Sequence, residues 1–131
     1  MGVNNERPTT GSEPGATEIV RAGERISLEH LEQLARGLTG EMVKAVVDVE
    51  RGILAIGGLM HADEEAALID DGSRQADLWG INLYPADRRS DDFVEFDSMI
   101  NLRPGLGNRS RGVEDAATRA TIIGIVDRLV E

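Results

Sequence analysis

The sequence predicts an α/β domain of the α+β type, in which a mostly antiparallel sheet of four or five strands packs in two layers against three helices. Three observations carry this prediction. Short β-branched runs come in pairs joined by turn residues, as hairpin strands do. Three longer segments repeat apolar residues every three or four positions, as helices with one buried face do. The two kinds of segment follow the order β-α-ββ-α-ββ-α, with no longer internal repeat.

Residues 1–17, MGVNNERPTTGSEPGAT, are polar and aperiodic and read as a disordered tail, which leaves 18–131 as a single domain. Glu18 to Arg21 reads as a short strand. Ser27 is placed to cap a helix in which Glu29 favours the first turn, Leu28, Leu31, Leu34, Ala35 and Leu38 share a face, and Gly37 and Gly40 mark the end. Met42–Val49 and Ile53–Gly57 read as a hairpin about Glu50-Arg51-Gly52, with Gly52 at positive φ and Val47, Val49, Leu54 and Ile56 facing the core.

Asp63 is read as the cap of a second helix carrying Glu64 and Glu65 in its first turn and stopped at Gly72. Leu78–Tyr84 and 93–103 read as a second hairpin. In its return strand Val94, Phe96, Ser98, Ile100 and Leu102 face the core, and Glu95, Asp97, Met99, Asn101 and Arg103 face away. Val113, Ala116, Ala117, Ala120, Ile123, Val126 and Val130 stripe a closing helix. The helices cover the sheet most simply on one face, leaving a polar strand face with Asp48, Glu50, Asn82, Tyr84, Asp97, Asn101 and Arg103.

Composition removes several function classes. The chain has no cysteine, which excludes disulfides, thiolate zinc sites and cysteine nucleophiles. A formal charge of −10 and 3% aromatic residues argue against nucleic acid and anionic membranes as partners. No segment approaches the ~18 apolar residues of a membrane span. The amino terminus has no apolar signal core, so a cytoplasmic location is expected. Lys44 is the single lysine among 14 basic residues.

Two constellations suggest chemistry. Arg103, Asn108, Arg109, Ser110 and Arg111 precede the last helix, where unpaired amides and paired guanidinium donors suit a phosphate or carboxylate. Asp97 and Asn101 would orient those arginines. The plainer reading is a polar turn that caps the helix, its arginines paired with Glu114, Asp115 or Asp97. Gly105-Leu106-Gly107 has neither the lysine nor the spacing of a P-loop. The second constellation is His61 and Asp63, which with Asp97 or Asp48 could hold a divalent metal; here the plainer reading makes Asp63 a helix cap. Asp48, Glu95 and Asp97 could likewise form a carboxylate centre or a self-neutralising network. His30 has no acidic neighbour placed to suggest more than a solvent-facing helix position. Neither Ser98 nor Ser110 sits in a nucleophile-elbow pattern.

From about residue 42 onward the chain resembles a small uncharacterised prokaryotic family. The resemblance rests on Met42-Val-Lys-Ala-Val-Val-Asp48, Gly57-Gly58, His61-Ala-Asp63-Glu64-Glu65, Leu78-Trp-Gly-Ile-Asn-Leu-Tyr-Pro85, Glu95-Phe-Asp-Ser-Met-Ile-Asn-Leu-Arg-Pro104 and Gly107-Asn-Arg-Ser-Arg-Gly-Val-Glu114. It implies a bacterial or archaeal protein and supplies no activity, cofactor or site residue. The expected function is therefore a cytoplasmic binding module with an anion site for a phosphate-containing small molecule at the start of the last helix. The alternatives are a metal-dependent hydrolase using His61, Asp63 and Asp97, and a protein-interaction module whose mark would be an exposed apolar patch or a free sheet edge.

Overall fold

Five antiparallel strands in the order β1-β3-β2-β4-β5 form the sheet of the computed structural model, which describes residues 15–131. The strands are β1 (Glu18–Val20), β2 (Val43–Asp48), β3 (Ile53–Ile56), β4 (Leu78–Leu83) and β5 (Val94–Glu95). The helices are α1 (Leu28–Gly37), α2 (His61–Asp70) and α3 (Ala116–Leu129). Element order and the antiparallel sheet are as the sequence predicts. The expected tail at 1–14 lies outside the described residues; residues 15–17 run beside the end of β3, where Gly15 bridges Gly58.

The helices are shared between the two faces of the sheet rather than stacked on one. Leu31 and Leu34 of α1 and Ile122, Ile125, Val126 and Leu129 of α3 pack with Val43, Ala45, Val47, Leu54, Ile56, Ile81 and Leu83. Leu68 of α2 packs on the other face with Val46, Ile53, Ala55 and Leu78. Topology explains the division. The β1-α1-β2 connection crosses β3, and the β3-α2-β4 connection crosses β2, so both step the same way across the sheet. Because β1 and β3 run in opposite directions, crossovers of one hand must put their helices on opposite faces, and a shared hand is what strand twist favours.

Local signals explain most boundaries. Ser27 Oγ accepts from the His30 amide at 3.0 Å and starts α1. Asp48 Oδ1 accepts from the Glu50 and Arg51 amides at 2.9 and 2.8 Å, closing the hairpin with Gly52 at φ 68°. Asp48 is thus a buried turn-former and not an open-face ligand. Asp71 accepts from both Arg21 and Arg51 and ties the end of α2 to β1 and the hairpin; the two guanidinium groups hold its carboxyl far below the usual range.

The strand expected over 93–103 is a correction. Only Val94 and Glu95 pair with β4. The chain then turns, and Asn101 continues the edge with its side chain. Its Oδ1 accepts from the Gly80 amide at 2.8 Å, and its Nδ2 donates to the Gly80 carbonyl at 2.9 Å. One carboxamide replaces a strand residue, because it offers the same donor and acceptor pair. Gly80 permits the approach: a Cβ there would lie 2.6 Å from Ser98. Alternation misleads here. Asn101 is fully buried and Leu102 is 41% exposed, the reverse of the strand assignment.

Asn101→Ala should therefore destabilise the fold by about 2–4 kcal/mol, because it strands two buried main-chain groups. Leu102→Ala should cost under about 1 kcal/mol. Urea denaturation of the two variants checks this, and a larger loss from Leu102→Ala would restore the strand assignment.

Candidate functional site

Register across the second face of the sheet lines up three polar residues. Lys44 of β2 pairs with Asn82 of β4, and Asn82 pairs with Glu95 of β5. Neighbours so placed have Cβ atoms roughly 5 Å apart, so the three side chains form one row. The first turn of α2 reaches the same face and brings His61 and Glu64 towards it.

The hydrogen bonds fix which atoms face the cleft. Asn82 Nδ2 donates to Glu95 Oε1 at 2.9 Å and to the Asp97 carbonyl at 3.2 Å. Both partners only accept, so the amide orientation is set and Oδ1 faces the other way. That oxygen is buried and has no partner among the described residues. Tyr84 Oη also donates to Glu95 Oε1, at 2.9 Å, and the negative carboxylate raises the phenol above its ordinary range. Asp97 Oδ1 accepts from Arg111 Nε at 2.6 Å.

His61 is buried, and its Nε2 lies 2.8 Å from the Ile81 carbonyl. A carbonyl only accepts, so Nε2 carries the proton and the neutral ring leaves Nδ1 as an acceptor. Burial lowers the imidazole below its ordinary range and the Lys44 charge adds to this, against the Ile81 carbonyl, Asn82 and Asp97. Lys44 is half-buried and forms no ion pair among the described residues. This face of the sheet thus brings Lys44, Asn82 and His61 together, with Asn82 Oδ1 lacking a donor among the described residues.

The structure separates the residues expected to form the anion site. Arg111 and Asp97 form an exposed ion pair beyond β5. Asn101 and Asn108 build the loop between the two: Asn108 Nδ2 donates to the carbonyls of Asn101, Ser110 and Gly112, and its Oδ1 accepts from the Glu114 amide. Arg103 stacks over the Trp79 ring at 4.5 Å and donates to the Gln75 and Leu78 carbonyls. Arg109 and Ser110 are exposed.

None of these residues sits at the helix start. α3 begins at Ala116, and its N-terminus is closed by Asp115, which accepts from the Thr118 amide at 2.9 Å. Asp63 is exposed in the first turn of α2, which begins at His61 after the Met60 cap, so it does not cap the helix. Among the described residues no group of three His, Asp or Glu side chains could hold a metal ion. His30 is bound to Glu18 at 2.9 Å, a partner brought to it by the sheet and invisible in local sequence.

Sequence reasoning had placed Asn82 and Tyr84 on a polar face but did not single out Lys44, Glu64 or Glu95 as part of a site with them. The signal was present in Lys44, the one basic residue inside an apolar strand. A groove of about 1010 Å³ lies elsewhere, between the hairpin turn and α3. Its lining includes Glu24, Glu50 and Asp127 as well as arginines, and Arg25 and Arg51 are already bound to Val130, Asp71 and Ser73.

The chain belongs to DUF5674, a family described as a protein of unknown function, whose profile spans residues 18–129. The DUF5674 match covers every strand and helix described above. Neither a curated protein nor a solved structure matches the chain. No helix among the described residues is long and apolar enough to cross a membrane.

Glu64 gives the site a pH signature. Its side chain is fully buried, with Oε2 accepting from the Gly58 amide at 2.9 Å and Oε1 unpartnered. Burial raises its carboxyl well above 4.5, against the Gly58 amide and Lys44. The folded state therefore holds a proton that the unfolded chain releases near pH 4.5, so stability is full below that pH and falls as pH rises through the folded value. Glu64→Gln should match wild type near pH ~4 and exceed its Tm at alkaline pH. Parallel Tm-against-pH curves for the two proteins would show that Glu64 does not titrate in this window.

Proposed function

We propose that this chain is a binding module for a small anion of the phosphate class that also carries a hydroxyl or amine donor. The observation that carries the reading is the buried Asn82 Oδ1, which has no donor among the described residues and belongs to a side chain that shares the sheet face of Lys44 and neighbours His61. An unsatisfied buried carbonyl costs on the order of 1–3 kcal/mol, a cost that a ligand hydroxyl would relieve. In this reading Lys44 meets the anion, while Asn82 Oδ1 and His61 Nδ1 accept from the ligand donor. Glu95 and Tyr84 hold the Asn82 amide in orientation, and Arg111, positioned by Asp97, supplies a second cation at the rim. Arg109 lies in the same loop as Arg111 and would steer the anion towards it.

A thermal-shift titration with inorganic phosphate and glycerol phosphate tests this on wild type, Lys44→Met and Arg109→Ala. At about 100 times its Kd, either ligand should add about 2.7 kcal/mol, a rise of several degrees in Tm. Glycerol phosphate should be the tighter of the two, and Lys44→Met should abolish both shifts. Loss in Arg109→Ala with Lys44→Met unaffected would move the site to the loop. The absence of any shift would overturn the binding reading.

A further inference from the structure

Next to the polar row, Lys44 also forms one wall of a separate pocket. This pocket of about 190 Å³ is otherwise lined by Gly37, Leu38, Thr39, Met42, Gly58 and Leu59. Its lining is mostly apolar, with Leu38, Met42 and Leu59 beside Thr39, and its one charged residue is Lys44, the only lysine in the chain. The pocket lies where the loop after α1 meets the loop before α2, at one end of the sheet.

The first of those loops is built rather than loose. Thr39 Oγ1 donates to the Met42 carbonyl at 3.0 Å and accepts from the Met42 amide at 2.9 Å and the Glu41 amide at 3.2 Å. A preformed, mostly apolar recess with one cation at its edge suits an organic ligand that has an aliphatic arm and an anionic head. Water alone is a poor occupant, because the mostly apolar walls give it few partners.

We infer that the ligand of the cleft is an organic anion with a short aliphatic arm, its head on Lys44 and its arm between Leu38, Met42 and Leu59. This rests on the binding reading above and names its ligand more narrowly. The pocket has room for about six groups the size of a water molecule, which an arm of roughly four to six carbons fills.

Calorimetric titration of the full chain with inorganic phosphate and with methyl, butyl, hexyl and decyl phosphate reads out the recess directly. Affinity should rise about two- to fourfold per methylene up to butyl or hexyl phosphate and then level off. Leu59→Ser, at a position 62% exposed and so tolerant of change, should flatten the rise along the series. Met42→Ala should move the plateau to a longer arm, a shift that mere loss of stability would not produce. If inorganic phosphate binds in a Lys44-dependent way but affinity is flat along the series, the aliphatic arm is refuted and the binding reading stands. If no anion in the series binds, both fail.

Discussion

The contact between Asn101 and Gly80 decides the shape of the second half of the chain. A main-chain amide and carbonyl at the sheet edge need partners, and a side-chain carboxamide 21 residues away supplies both. Once Asn101 is fixed there, residues 96–100 must turn in a tight loop and cannot extend along β4. Asn108 then gathers three carbonyls of the following loop onto its own amide. Asp97 and Arg111 pair beyond β5 because these two asparagines have already set the backbone on either side. The affinity of the module would therefore depend on residues that need not touch a ligand.

Crossover geometry supplies the other half of the site. Two connections of one hand, begun from antiparallel strands, place α2 opposite α1 and α3. The sheet face that would otherwise be solvated is thereby half covered. At that boundary the row Lys44–Asn82–Glu95 is neither core nor open surface. Partial cover lowers the His61 imidazole and raises the Glu64 carboxyl, so both groups are biased towards neutrality. What charge the cleft holds is left to Lys44 and Glu95, with the Arg111–Asp97 pair beyond β5.

Much of the fold was legible in the sequence because local chemistry determines it. Ser27, Gly52, Gly72 and Pro85 mark turns and ends through their own backbone preferences, and the apolar spacing of α1 reports its buried face; in α3 the expected stripe is a correction, because Ala116, Ala117, Ala120 and Ile123 are exposed and Ile122, Ile125, Val126 and Leu129 are buried. What was not legible arises from distant partners. The 93–103 segment has a strand's alternation, but its polar members Ser98 and Asn101 are buried because they bind Gly80 and Arg111 across the fold. His30 has Glu29 and Glu32 close by in sequence, but the acid it binds is Glu18, which meets it only in space. The arginine cluster was legible as a polar loop, and its distance from the helix start followed from Asp115 taking the cap. Lys44 became visible as a site residue only once strand register put it beside Asn82.

The truncated rims of the sheet bear on how these molecules behave in a crowded solution. β5 offers two residues and β1 three, and beyond β5 the main-chain groups of Gly80 are already taken by Asn101. Exposed strand edges are the usual template on which chains stack into fibrils. With so short an open rim at either side, this sheet gives an incoming strand almost nothing to copy. A second copy of the chain would meet two short ladders at which few main-chain bonds could form.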